Sequence, residues 1–189
     1  MKDRIVSLMD AYRCFARRHP IRFICAGIAL TVLWMCVIMH FSGEDADISG
    51  RRSSTILVGI IHAVSPSSDI TVNGYDYDTA LINAEKVVRK VAHMIEYGIL
   101  SLLIWSVMFG FRKLPRIFAY IVPVVAVAAL GAVDEMNQRS IPGRYGSLFD
   151  VCVDITASVT AVFIAYRLTL RYRRRKIREN NNPSVRNVP

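Results

Sequence analysis

The chain has 189 residues, 53% of them hydrophobic, and a formal net charge of +9, with a mean hydropathy of +0.33. Its length suits one domain, but its apolar residues are gathered in long blocks, which excludes an ordinary water-soluble globule. An apolar run of roughly 20 residues matches the bilayer's hydrocarbon thickness, and a helix there satisfies all its own backbone groups.

Taken in chain order, residues 1–22 form a basic segment with Lys2, Arg4, Arg13, Arg17, Arg18 and Arg22. The membrane domain is expected over residues 23–170. Its first span runs from Phe23 to Phe41 without a charged residue. That run is longer than the roughly 7 to 15 apolar residues of a signal-peptide core, so it reads as a retained signal anchor. The loop that follows, Ser42 to Lys90, contains the apolar patch Thr55 to Val64. It is shorter than the ~17 residues a crossing needs and is expected to form an interfacial or re-entrant helix. A second span runs from about Val91 to Phe111. A third, Ile117 to Val133, carries Pro123, and the fourth runs from Phe149 to Leu170. Residues 171–189 form a basic tail ending in "ENNNPSVRNVP", a composition expected to be disordered. The expected fold class is therefore all-α, an integral membrane bundle of four transmembrane helices plus one short helix in the first outer loop.

Lys and Arg fix the orientation, because cytoplasmic loops carry the excess of both. The N-terminal segment, the connection with Arg112, Lys113 and Arg116, and the tail from Arg167 to Arg178 all fall on one side. That side is expected to be the cytoplasm of a bacterial plasma membrane, with both termini inside. The first loop carries more Asp and Glu than Lys and Arg and suits the outer face. The same rule explains the basic tail as a membrane-facing cluster attracted to anionic lipids, and no nucleic-acid partner is expected. Cys14, Cys25, Cys36 and Cys152 show no close pair and no zinc spacing, so no disulfide framework is implied. Cys36 and Cys152 are expected to pack between helices.

Ionisable residues break the apolar pattern at one level. In "RKVAHMIEYGILSLLIW", His93 lies three residues from both Lys90 and Glu96, which puts all three on one helical face with Tyr97 beside them. The third span ends in "GAVDEMNQRS", bringing Asp134, Glu135 and Gln138 to the same outer level. The fourth begins after "IPGRYGSLFD", bringing Arg144 and Asp150, with Asp154 a turn below. Ionisable groups inside a span cost about 2.5 to 3.5 kcal/mol each on insertion scales, so these side chains are expected to face one another. Carboxylates clustered at low dielectric also tend to hold a proton or pair with a cation.

The blocks "KVAHMIEY", "DEMNQRSIPGR" and "SLFDVCVD", together with "HFSGED" after the first span, resemble the signature blocks of the VanZ-like membrane family over about residues 25 to 165. That family is named after a protein associated with resistance to the glycopeptide teicoplanin. The resemblance marks Lys90, His93, Glu96, Asp134, Glu135, Gln138, Pro142, Gly143, Arg144 and Asp150. It also shows departures: Asp154 stands where the family usually has Asn, Ala157 where it has Gly, and Glu44 where an "FSSQ"-like element has Gln. It implies a cell-envelope role and supplies no settled reaction.

Three roles fit these residues ahead of a fourth, a proton-coupled transporter, for which four spans are few and no pair of broken helices in corresponding halves is visible. In an enzyme acting on a lipid-linked substrate, His93 and Glu96 would work as acid, base or orienting group, and Asp134 and Glu135 as a second pair. Lys90 and Arg144 would hold a phosphate, with Gln138, Asp150 and Asp154 completing the binding surface. A variant has His93, Glu96, Asp134 and Glu135 holding a divalent metal, although the motif is not HExxH, and only His40 and His62 are further candidates. In a binding or accessory protein, the same cup would recognise a membrane lipid, a lipid-linked cell-wall precursor or a glycopeptide. In a structural network, the pairs would only fix helix angles, with "SIPGRYG" as turn chemistry.

Overall fold

A computed structural model of the chain describes residues 2–64, 79–111, 113–141 and 146–181. Among them the fold is entirely helical, in the order α1 (Lys2–Arg18), α2 (Pro20–Ser42), α3 (Ala46–Val64), α4 (Thr79–Gly110), α5 (Phe118–Gln138) and α6 (Leu148–Asn181). Four of these are long and apolar enough to cross a membrane: Pro20–Ser42, Asn83–Gly110, Phe118–Gln138 and Leu148–Arg178. They correspond to the four expected spans.

Helix α4 is the hub, packing against α2, α3, α5 and α6, and α5 packs on α6. Lipid tails are as apolar as leucine, so these contacts depend on close fit and internal hydrogen bonds more than on hydrophobic burial. Many large apolar side chains accordingly face outward, and several small or polar ones face inward. Leu33, Val125 and Phe163 are exposed, whereas Ser101 and Ser158 are fully buried and share a 2.7 Å hydrogen bond between α4 and α6. Gly27 lets α2 approach α4 so closely that a Cβ there would stand 2.7 Å from a Val107 methyl. Toward the other end, Trp34 donates its indole N–H to the Glu96 carbonyl at 2.9 Å. An apolar cluster of Ile38, Tyr97, Leu100, Ile104 and Val127 fills the space where α2, α4 and α5 meet.

The helices extend beyond what hydropathy marks, and two expectations, the disordered tail and the packed cysteines, are corrected. The basic N-terminal segment is a helix, α1, separated from α2 by His19 and the helix-starting Pro20. The first-loop helix begins at Ala46, nine residues before the apolar patch, because its polar first half has partners: Arg52 pairs with Glu44, and Ser54 bonds Glu85 of α4. The tail is helical through Asn181 rather than disordered from residue 171, because its side chains dock on α1. Tyr172 donates its hydroxyl to Asp10, and Lys176 pairs with the same carboxylate at 3.0 Å. Residues 182–189 lie outside the described residues. Cys36 and Cys152 are exposed on the bundle surface rather than packed between helices. Pro123 lies inside α5, which runs on through it from Phe118 to Gln138.

Candidate functional site

The described ionisable residues singled out in the sequence, all but Arg144, gather at one end of the bundle, in three separate arrangements. The first is a buried brace around Asp134. One of its carboxylate oxygens accepts from the Tyr97 hydroxyl at 3.3 Å and from the Gln138 amide at 3.1 Å. The same amide donates to Ser42 at 2.8 Å. Asp134 is 1% exposed and Tyr97 0%, so one carboxylate joins α2, α4 and α5 with little water present. Asp154 of α6 enters from the other side: its carboxylate lies against Gly131, where an added Cβ would meet it at 3.3 Å. The glycine one turn before Asp134 makes room for the acid that replaces the family's Asn, and both Asp134 and Asp154 keep one buried oxygen without a described partner.

The second arrangement closes the α5–α6 turn. Glu135 accepts the Ser147 backbone N–H at 2.5 Å, and the Ser147 hydroxyl caps the N–H of Phe149. Gly146 permits this approach, since a Cβ there would overlap the Glu135 carbonyl. Lys90 and Asp150 form a 2.8 Å ion pair nearby, with both side chains well exposed, and the Lys90 ammonium lies 4.3 Å from the Phe149 ring centroid. Arg144, Pro142 and Gly143 lie outside the described residues.

The third arrangement is open. His93 and Glu96 line a cavity of about 160 Å³ between α2, α3 and α4, shared with Ser42, Ser53, Arg52 and Arg89. The His93 ring stacks on Tyr97 at 6.4 Å between centroids. Arg52 is held by both oxygens of Glu44 at 2.8 Å and lies 4.6 Å from the Phe41 ring centroid. The departure at Glu44 thus ties the end of α2 to α3. Arg89 has a buried Nε without a described partner, so the cavity can offer a guanidinium donor to an anion. Among the described residues, no group of three His, Cys, Asp or Glu side chains converges as a metal-ligand set.

A family model described as VanZ/LLP1 matches residues 27–170, most of the chain and all of the residues above. The chain belongs to the VanZ/LLP1 family. With its four apolar helices, it is a multi-pass membrane protein of that family. No curated protein and no solved structure matches it. The VanZ/LLP1 blocks therefore divide between the brace, the turn and the cavity. Sequence reasoning missed Arg52, Arg89, Ser42 and Ser53 as cavity residues. The signal for Arg89 was present, as it lies four residues from His93, while Arg52 needed the placement of α3.

Proposed function

We propose that this VanZ/LLP1 protein sits in a bacterial plasma membrane with both termini in the cytoplasm, and that the His93–Glu96 cavity binds the phosphate-bearing head of a lipid-linked envelope substrate from the outer leaflet. The distribution of Lys and Arg supports that orientation. The observation that carries the ligand class is the pairing, in one cavity, of an acid–base couple with Arg89, whose buried Nε lacks a described partner. Buried guanidinium donors are costly unless an anion satisfies them. Arg89 would hold a phosphate oxygen, and His93 would give or take a proton on it with Glu96 as its orienting carboxylate. Tolerance to a glycopeptide such as teicoplanin would follow if that substrate is a cell-wall precursor.

The test is binding of a polyprenyl phosphate and of the uncharged polyprenol to the purified protein in nanodiscs. Arg89→Gln is expected to weaken phosphate binding about tenfold, the scale of one charge-assisted hydrogen bond, and to leave the polyprenol unchanged. Equal binding of both probes to the wild type would refute the reading. A second reading, a non-catalytic accessory protein, is favoured by the brace itself, since Asp134 and Gln138 are already engaged by Tyr97 and Ser42. His93→Gln and Glu96→Gln separate the two readings: retained binding with loss of any envelope phenotype supports chemistry, and an unchanged phenotype supports the accessory role.

A further inference from the structure

At the opposite end of the bundle, α1 and the last turns of α6 close over the α4–α5 connection and leave a cavity of about 430 Å³. Arg13 and Arg17 of α1, Arg116 before α5 and Arg173 of α6 all line it, and none of its described lining residues is acidic. The nearby Asp10 is already engaged by Tyr172 and Lys176. Two of the guanidiniums are held in place by aromatic rings. Arg13 lies 4.3 Å from the Tyr172 centroid and 5.7 Å from that of Phe109, and Arg116 lies 5.4 Å from the same Phe109 ring. Four like charges around one space, two of them held by rings, create a strong demand for an anion.

A second, apolar space continues from this one. A groove of about 590 Å³ between α4 and α6 shares Tyr12, Arg13 and Phe109 with the arginine cavity. It runs along Leu102, Ile164 and Leu168, which are exposed on the membrane-facing surface. Thr169 also lines it. Threonines inside helices usually bond the carbonyl four residues back, as Thr156 and Thr160 of α6 do at 2.8 Å. Thr169 is 2% exposed, yet its hydroxyl has no described partner. The Thr169 hydroxyl is thus a buried, unpartnered donor on the wall of the apolar groove, which meets the arginine cavity at Tyr12, Arg13 and Phe109.

We infer that this end of the molecule is a one-to-one site for an anionic phospholipid, with the phosphate among Arg13, Arg17, Arg116 and Arg173, an ester oxygen at Thr169 and an acyl chain in the α4–α6 groove. Basic pockets between membrane helices bind anionic headgroups on this electrostatic basis. A discrete site differs from diffuse attraction in stoichiometry, because the groove admits one lipid and surface charge recruits many.

Native mass spectrometry of the full chain tests it, from micelles holding equal amounts of dioleoyl phosphatidylglycerol and dioleoyl phosphatidylcholine. The wild type is expected to retain one phosphatidylglycerol in preference to phosphatidylcholine, and millimolar inorganic phosphate is expected not to displace it. Arg17→Gln and Arg116→Gln, both at exposed side chains, should each lower the preference about fivefold, the effect of one basic residue near an anionic headgroup. Equal retention of the two lipids, or graded binding of many copies, would overturn the site. Displacement by inorganic phosphate alone would also overturn it and assign the cavity to a soluble anion. The wild-type comparison decides the matter even if either variant fails to fold.

Discussion

The brace around Asp134 and the cavity around His93 lie one helical turn apart on α4, yet they treat polar groups in opposite ways. In the brace, Tyr97 and Gln138 both donate to Asp134, and Gln138 donates also to Ser42, in near-complete burial. In the cavity, His93, Glu96 and Arg89 border open space. A buried network whose donors are paired holds helices together, even though one oxygen each of Asp134 and Asp154 keeps no described partner, and an unpaired donor beside a cavity can hold a ligand. On the proposed reading the former is mainly architecture and the latter a binding site, so the two should respond differently to substitution.

The largest effect is expected at the brace. Asp134→Ala leaves the Tyr97 hydroxyl and part of the Gln138 amide unsatisfied, and each buried orphan costs about 1 to 3 kcal/mol. Thermal unfolding in detergent should show a large loss of stability, with Asp134→Asn losing less because its carbonyl still accepts. If Asp134→Ala keeps wild-type stability, the brace is not what holds α2, α4 and α5. At the cavity, Glu96→Gln should change stability by less than about 1 kcal/mol, as most substitutions away from buried networks do, while impairing phosphate binding or the envelope phenotype. Losses of equal size at Asp134 and Glu96 would erase the distinction between the regions.

Smaller still is the exposed Lys90–Asp150 pair. Lys90→Met is expected to cost under about 1 kcal/mol, and the difference should fade in high salt. A salt-independent loss would place Lys90 among the bracing residues instead. The faintest signal concerns Asp10, which the Tyr172 hydroxyl and then Lys176 hold below its ordinary pKa of 3.8. A lowered carboxylate stabilises the fold above its unfolded pKa and loses that contribution as pH falls through the folded value. The α1–α6 junction should therefore be insensitive to pH from about 5 to 8 and loosen only in stronger acid. Hydrogen exchange of α1 across that range checks it, and loosening near neutral pH would point to another group.

The order and number of the spans were legible because the bilayer imposes a length on any apolar helix, and the blocks from Phe23, Val91, Ile117 and Phe149 each meet it. Helical period alone also placed His93 and Glu96 on one face, and span direction brought Asp134, Gln138 and Asp154 to their level. Sequence could not say which of these would be tied to one another. Gln138 bonds Ser42 across 96 positions of chain, and Arg52 reaches the cavity only because α3 lies on α4. Nor could hydropathy foresee α1 or the helical tail, since neither is apolar and the two are held through Asp10, Tyr172 and Lys176. Local composition decides where a chain meets lipid, because that depends on transfer of each segment by itself. Partners for buried polar groups are chosen by packing geometry between distant segments, and only the assembled bundle settles that.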